Sequence, residues 1–113
     1  MPMPDLLRSL ALFVLAGLLE IGGGYLIWQY WRHGASWLLG LAGAVTLVLY
    51  GLVPTFQPVG GFGRVYAAYG GIFVIMSFVW ARLFDGVTPD RPDMVGCLIC
   101  LVGVAVIVYW PRA

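Results

Sequence analysis

Long apolar stretches alternate with short polar breaks rich in glycine and proline along the whole chain. Four such stretches stand out, at about 6–31, 37–56, 65–84 and 94–110. A helix rises about 1.5 Å per residue and the hydrocarbon core of a bilayer is about 30 Å thick, so about 20 apolar residues cross it. Each stretch is expected to form a transmembrane helix, the fourth being short enough to require a thin membrane or little tilt. The breaks are turn signals: Arg32-His33-Gly34, the run from Gln57 to Arg64, and the run from Asp85 to Asp93. Asp93 beside Met94 is expected to cap the last helix, and Pro54 to kink or end the second. Trp28, Tyr30, Trp31, Trp37, Tyr109 and Trp110 crowd the helix ends, where aromatic rings anchor at the membrane interface. The pattern predicts an all-α membrane protein, with residues 1–113 forming a single four-helix membrane domain.

Composition narrows this further. Of 113 residues, 62% are hydrophobic and 10% charged, too much apolar side chain for a soluble domain of this size to cover. The basic residues are all arginine, scattered singly at positions 8, 32, 64, 82, 91 and 112, and the net charge is +1. No basic stripe is present for nucleic acid or for an anionic membrane surface. Arg8, Arg64 and Arg112 fall on one side of the predicted topology and Arg32, Arg82 and Arg91 on the other, so the arginines set no orientation. Such balance fits a chain that inserts in both senses and also a single topology with few loop charges. Residues 1–24 resemble a secretory signal only superficially, because Glu20 interrupts them where a small-residue cleavage site should begin. Cys97 and Cys100 lack the βαβ context of a redox pair and are read as small apolar packers. No enzyme is expected: catalytic-triad, zinc-ligand and phosphate-loop spacings are absent, no cofactor or metal is implied, and His33 reads as a solvated loop residue beside Arg32.

Within the predicted spans Glu20 is the acid that lies well inside. An acid at the bilayer centre costs about 2.5–3.5 kcal/mol on insertion scales, so it is expected to face a protein interior or a wet cavity. Pairing with Arg32 within one chain is disfavoured by the intervening helix, about 18 Å long. Ala16, Gly17, Gly23 and Gly24 lie three or four residues from Glu20, so the carboxylate projects from a strip with almost no side chains. That strip suits close helix packing, as do Gly40, Gly43 and Ala44, and it can also leave space at the acid. On the third helix Tyr66, Tyr69, Phe73, Ser77 and Trp80 share one side, an aromatic wall suited to an organic cation, while Gly70 and Gly71 supply a place to bend.

The elements L-E-I-G-G at 19–23, G-R-V-Y-A-A-Y-G-G at 63–71, W-x-R-x-x-D-G at 80–86 and G-C-L-I-C-L-V-G-V at 96–104 resemble the YnfA family of small bacterial inner-membrane proteins. That family is similar in turn to the small multidrug resistance transporters, four-helix proteins that act as antiparallel homodimers exchanging protons for organic cations. The resemblance implies that Glu20 corresponds to the first-helix acid that binds protons and substrate by turns. It implies that Tyr66 and Tyr69 lie near the substrate, although the multidrug proteins carry Trp where this chain has Tyr69. Gly96 and Gly103 match the spacing of the fourth-helix dimer contact.

A thin four-helix chain has little room to enclose a solute path, so transport is expected to need two copies. Copies inserted in opposite senses would form an inverted-repeat pair with the solute near the midplane. The expected activity is proton/cation antiport for cationic aromatic or guanidinium-like solutes, with Glu20, Tyr66, Tyr69 and Trp80 at the site. The alternative is a non-transporting membrane subunit or regulator whose glycine faces bind a larger partner.

Overall fold

The computed structural model describes residues 3–58 and 61–111, the side chains of Met3, Val108 and Tyr109 excepted. Val59, Gly60, Arg112 and the Tyr109 ring, which the loop, charge and interface readings invoke, lie outside the described residues. Four α-helices follow one another: α1 (Met3–His33), α2 (Trp37–Leu52), α3 (Phe62–Trp80) and α4 (Arg91–Tyr109). The chain divides into two compact units, each a helical hairpin: Met1–Pro58 holds α1 and α2, and Val59–Ala113 holds α3 and α4.

In the first unit, Asp5 stands in the first turn of α1 and Arg32 and His33 in its last, each favourable to the helix dipole. Gly34, with φ of 68°, adopts the left-handed conformation that breaks α1, and the Ala35 N–H returns to the carbonyl of Gln29. Ser36 then caps α2, its hydroxyl accepting from the Leu38 N–H at 3.2 Å. Pro54 has the predicted effect in a specific form: the α-helix ends at Leu52 and the chain tightens into a 3-10 turn at Val53–Phe56, with Pro54 in its first positions where no N–H is needed.

The two helices of this hairpin cross at glycines. A Cβ built on Gly43 would lie 2.7 Å from the Gly23 carbonyl oxygen and 2.9 Å from Ile27 Cγ1; one on Gly23 would lie 2.8 Å from Leu47 Cγ. A Cβ on Gly40 would strike the Tyr30 ring at 2.8 Å. Backbones this close require residues without side chains, the usual means of holding apolar helices together in lipid. At the far end the buried Ser9 donates from its hydroxyl to Gln57 Oε1 at 2.6 Å, and Gln57 Nε2 donates to the Ser9 carbonyl at 3.1 Å. Arg8 adds a hydrogen bond to the Phe56 carbonyl at 3.3 Å, so polar groups clasp the start of α1 to the end of the 3-10 turn.

In the second unit, α3 begins at Phe62 rather than Val65, because Gly61 at φ 100° turns the chain and its carbonyl accepts the Val65 N–H at 3.0 Å. α4 begins at Arg91 rather than Met94, and the expected cap is corrected with it. Asp90 is the N-cap, accepting from the Asp93 N–H at 2.9 Å, while Asp93 reaches back to the Asp90 N–H at 3.1 Å. Asp93 is therefore the reciprocal partner in a capping box, and Pro92 sits in the first turn, where a missing N–H costs nothing. The α3–α4 crossing is again a glycine: a Cβ on Gly71 would run into Val104 Cγ2 and approach the Cys100 carbonyl oxygen to 3.7 Å.

Among the described residues, three helical stretches are long and apolar enough to cross a membrane: Pro4–His33, Trp37–Phe56 and Phe62–Asp85. Their most apolar windows are only 22%, 11% and 17% buried, so packing within the chain does not hide the apolar side chains. A hydrocarbon solvent would. α4 has 19 residues, and none of its described side chains is buried.

Candidate functional site

Glu20 lies well inside the 31-residue α1, roughly 20 Å of helix from the nearer end, and its side chain is half-buried. One turn before it, Ala16 and Gly17 are buried; one turn after it, Gly23 is buried against α2. Gly24 differs from all three: it is exposed, and a Cβ there would meet nothing within 4 Å. The small-residue strip around the acid is thus divided. One edge is consumed by helix packing, and the other, at Gly24, is open one turn from the acid.

The same division recurs on α3, where Gly71 packs against α4 while Gly70 is exposed with nothing within 4 Å of a Cβ. The predicted aromatic wall is assembled in part. Tyr66 and Tyr69 meet edge-on with centroids 6.4 Å apart, and Tyr69 meets Phe73 at 5.8 Å. Tyr69 is the buried member, 5% exposed, between half-buried Tyr66 and Phe73. Further along α3 the Trp80 ring lies against Phe84 at 4.3 Å, and Ser77 donates to the Phe73 carbonyl at 2.8 Å, turned to its own helix.

Sequence reasoning missed two members of these rows. Phe62 packs on Tyr66 at 4.4 Å, four residues earlier, inside a glycine-rich segment whose pattern predicts a loop but which the turn at Gly61 brings into α3. Phe84, four residues beyond Trp80, carries the same spacing signal. Glu20 belongs to the first unit, and Tyr66, Tyr69 and Trp80 to the second.

At the end of α1, the Arg32 guanidinium lies over the Trp28 ring, 4.7 Å from its centroid, and Trp28 Nε1 donates to His33 Nε2 at 3.3 Å. Arg32 is engaged there by a cation-π contact one turn back, and His33, read as solvated, also accepts a hydrogen bond while remaining exposed. Gly96 and Gly103 lie exposed on α4, with nothing within 4 Å of a Cβ at either. Cys97 is half-buried, Cys100 exposed, and both are free thiols. Among the described residues, no three His, Cys, Asp or Glu side chains group closely enough to hold a metal ion.

Comparison with known proteins places the chain among membrane proteins. The model of the family described as "Uncharacterised BCR, YnfA/UPF0060 family" matches residues 6–113. A UPF0060 membrane protein of Clostridium beijerinckii is 54% identical over 109 residues, covering 96% of this chain and 98% of its own. One from Herpetosiphon aurantiacus is 55% identical over 106 residues, covering 93% and 96%, respectively. One from Staphylococcus aureus is 54% identical over 108 residues, covering 96% of this chain and all of its own. No solved structure matches the chain.

Proposed function

The chain belongs to the YnfA/UPF0060 family and is a multi-pass membrane protein, and from that premise we propose that it is a proton-coupled exporter of small organic cations. All four helices cross the bilayer, α2 together with the 3-10 turn that follows it, and two copies in opposite orientation form the working unit. No cofactor and no covalent chemistry take part. Glu20 is the exchange group: it holds either a proton or the cationic solute, and arrival of one expels the other. Tyr66, Tyr69 and Trp80 supply the ring faces against which a cationic aromatic or guanidinium-like solute rests.

One observation carries this reading, the half-buried acid deep in α1 whose small-residue strip is only partly used for packing. A carboxylate placed for structure alone would need no open glycine beside it. At Gly24 a solute can approach the helix one turn from Glu20 without displacing a side chain. Gly70 offers the same freedom on α3, where the helix can bend as the halves rock.

The test is addition of a quaternary ammonium cation to purified protein in weakly buffered detergent, reading proton release and binding across pH. Wild type is expected to release protons on binding and to lose affinity as pH falls, because solute and proton compete. Glu20→Gln is expected to abolish the proton release. Equal binding by Glu20→Gln, with the same pH dependence as wild type, rejects the mechanism.

The absence of buried side chains from the described part of α4 favours a second reading, a small subunit or regulator whose uncovered helix packs against a larger membrane protein. A stoichiometric foreign partner on purification, with no solute-dependent proton release, would establish that reading instead.

A further inference from the structure

Beyond Trp80 the chain leaves the α-helical path, and Ala81–Asp85 forms a single π-helical turn closed by Gly86 at φ 68°. Wide turns of this kind redirect the side chains they carry and recur at functional sites. Within the same hairpin, between α3 and α4, lies a groove of about 740 Å³, in the range of pockets that hold a small molecule. Its walls are almost wholly apolar, with Ile75 and Val79 from α3 facing Met94, Leu98 and Leu101 from α4. Arg82, from the π-helical turn, is the one charged residue among the described ones that line it.

The chemistry of this lining is selective. A guanidinium repels an organic cation, so the groove does not suit the solute proposed for Glu20. Walls without polar groups do not suit a free hydrated anion. What satisfies both is an amphiphile with an anionic head and a hydrocarbon tail. The stretches from Ile75 to Arg82 and from Met94 to Leu101 each cover seven residue steps, about 10 Å of helix, so the groove runs about a third of the way across a hydrocarbon core. Arg82 stands at the loop end of the hairpin, the depth at which a long cationic side chain reaches headgroups. It is exposed and forms no ion pair among the described residues, while the nearby Asp90 and Asp93 carboxylates are engaged in the α4 capping box.

We propose that this groove is a site for an anionic phospholipid, with one acyl chain lying between α3 and α4 and the phosphate accepting hydrogen bonds from the Arg82 guanidinium. The assignment is independent of transport, since it uses neither Glu20 nor the tyrosine row. It adds a contact that holds the α3–α4 hairpin at a fixed depth and covers part of the exposed wall formed by Met94 and Leu98.

The test is native mass spectrometry of the full-length protein released from detergent after titration with phosphatidylglycerol or with phosphatidylcholine of the same chains. Wild type is expected to bind phosphatidylglycerol about tenfold more tightly, a difference of about 1.4 kcal/mol. Arg82→Gln is expected to bring the two lipids level, and Arg91→Gln to leave the preference intact. Leu98→Trp, which fills the groove, is expected to weaken both lipids. Equal binding of the two lipids by wild type overturns the proposal, as does a preference that survives Arg82→Gln or is lost equally with Arg91→Gln. Should Arg82→Gln lose its helicity, Leu98→Trp decides alone. Full lipid binding by that variant overturns the proposal, and if the same variant separates a dimer, the groove belongs to a second copy.

Discussion

The two hairpins cross at glycines by different means. In the first, the atoms that forbid a side chain on Gly43 include the Gly23 carbonyl oxygen, 2.7 Å from the would-be Cβ, so backbone meets backbone. In the second, the obstacles at Gly71 are side-chain atoms of Val104, a methyl group and the Cβ at 3.2 Å, with the Cys100 carbonyl oxygen 3.7 Å away. A backbone in a hydrogen-bonded helix cannot yield locally, whereas a side chain can be trimmed or turned. The α1–α2 pair is also clasped by Ser9 and Gln57, and it carries Glu20; in the other pair, α4 has no buried side chain among those described. The difference teaches where rigidity is invested. The acid rides on the hairpin with the less forgiving contact, and the helix left uncovered belongs to the other.

The largest expected effect breaks the first crossing. Gly43→Ala should destabilise the protein by about 1–3 kcal/mol, the usual cost of overpacking, as measured by denaturant titration in bilayer-like micelles. Shortening one neighbour, as in Ile27→Ala, should not restore it, because the Gly23 carbonyl remains. Gly71→Ala is expected to be milder, about 1 kcal/mol, and to be partly rescued by Val104→Ala, which removes the clashing methyl group and keeps the Cβ, in a double-mutant cycle with a clear coupling energy. Rescue of Gly43→Ala, or its failure at Gly71, would erase the distinction between the hairpins.

The smallest effect sharpens the contrast. Gly96→Ala and Gly103→Ala add a methyl group where nothing stands within 4 Å, so the stability of the folded chain should move by less than about 0.5 kcal/mol. If they form the contact between copies that the resemblance implies, crosslinking yield between copies should nevertheless fall. A fall in stability without a change in crosslinking would instead mark them as packing residues within the chain.

Much of this was legible beforehand because lipid imposes strict arithmetic on a chain. Long apolar runs, breaks at Gly34 and Gly86, and an acid at position 20 within a run rich in Leu and Gly follow from composition and spacing alone. Helix starts were harder to read. Phe62 and Arg91 lie in polar, glycine- or proline-marked segments, and only the hydrogen bonds of Gly61 and of the Asp90–Asp93 box extend the helices over them. The sense of each glycine pair was not legible at all. Gly23 and Gly24 are adjacent and chemically identical, and so are Gly70 and Gly71; which one packs depends on the rotation of a helix against its neighbour.

The amino-acid order by itself determined the solvent, the helices and the unusual acid, because each follows from transfer free energies and a period of about 3.6 residues. Tertiary structure alone decided which small residues became contacts and which remained open, that the Trp80 ring lies against Phe84, and that Arg82 lines an apolar groove. Those outcomes depend on the crossing of two helices and on a single π-helical turn. Both are set by close packing over many atoms, which no local run of residues encodes.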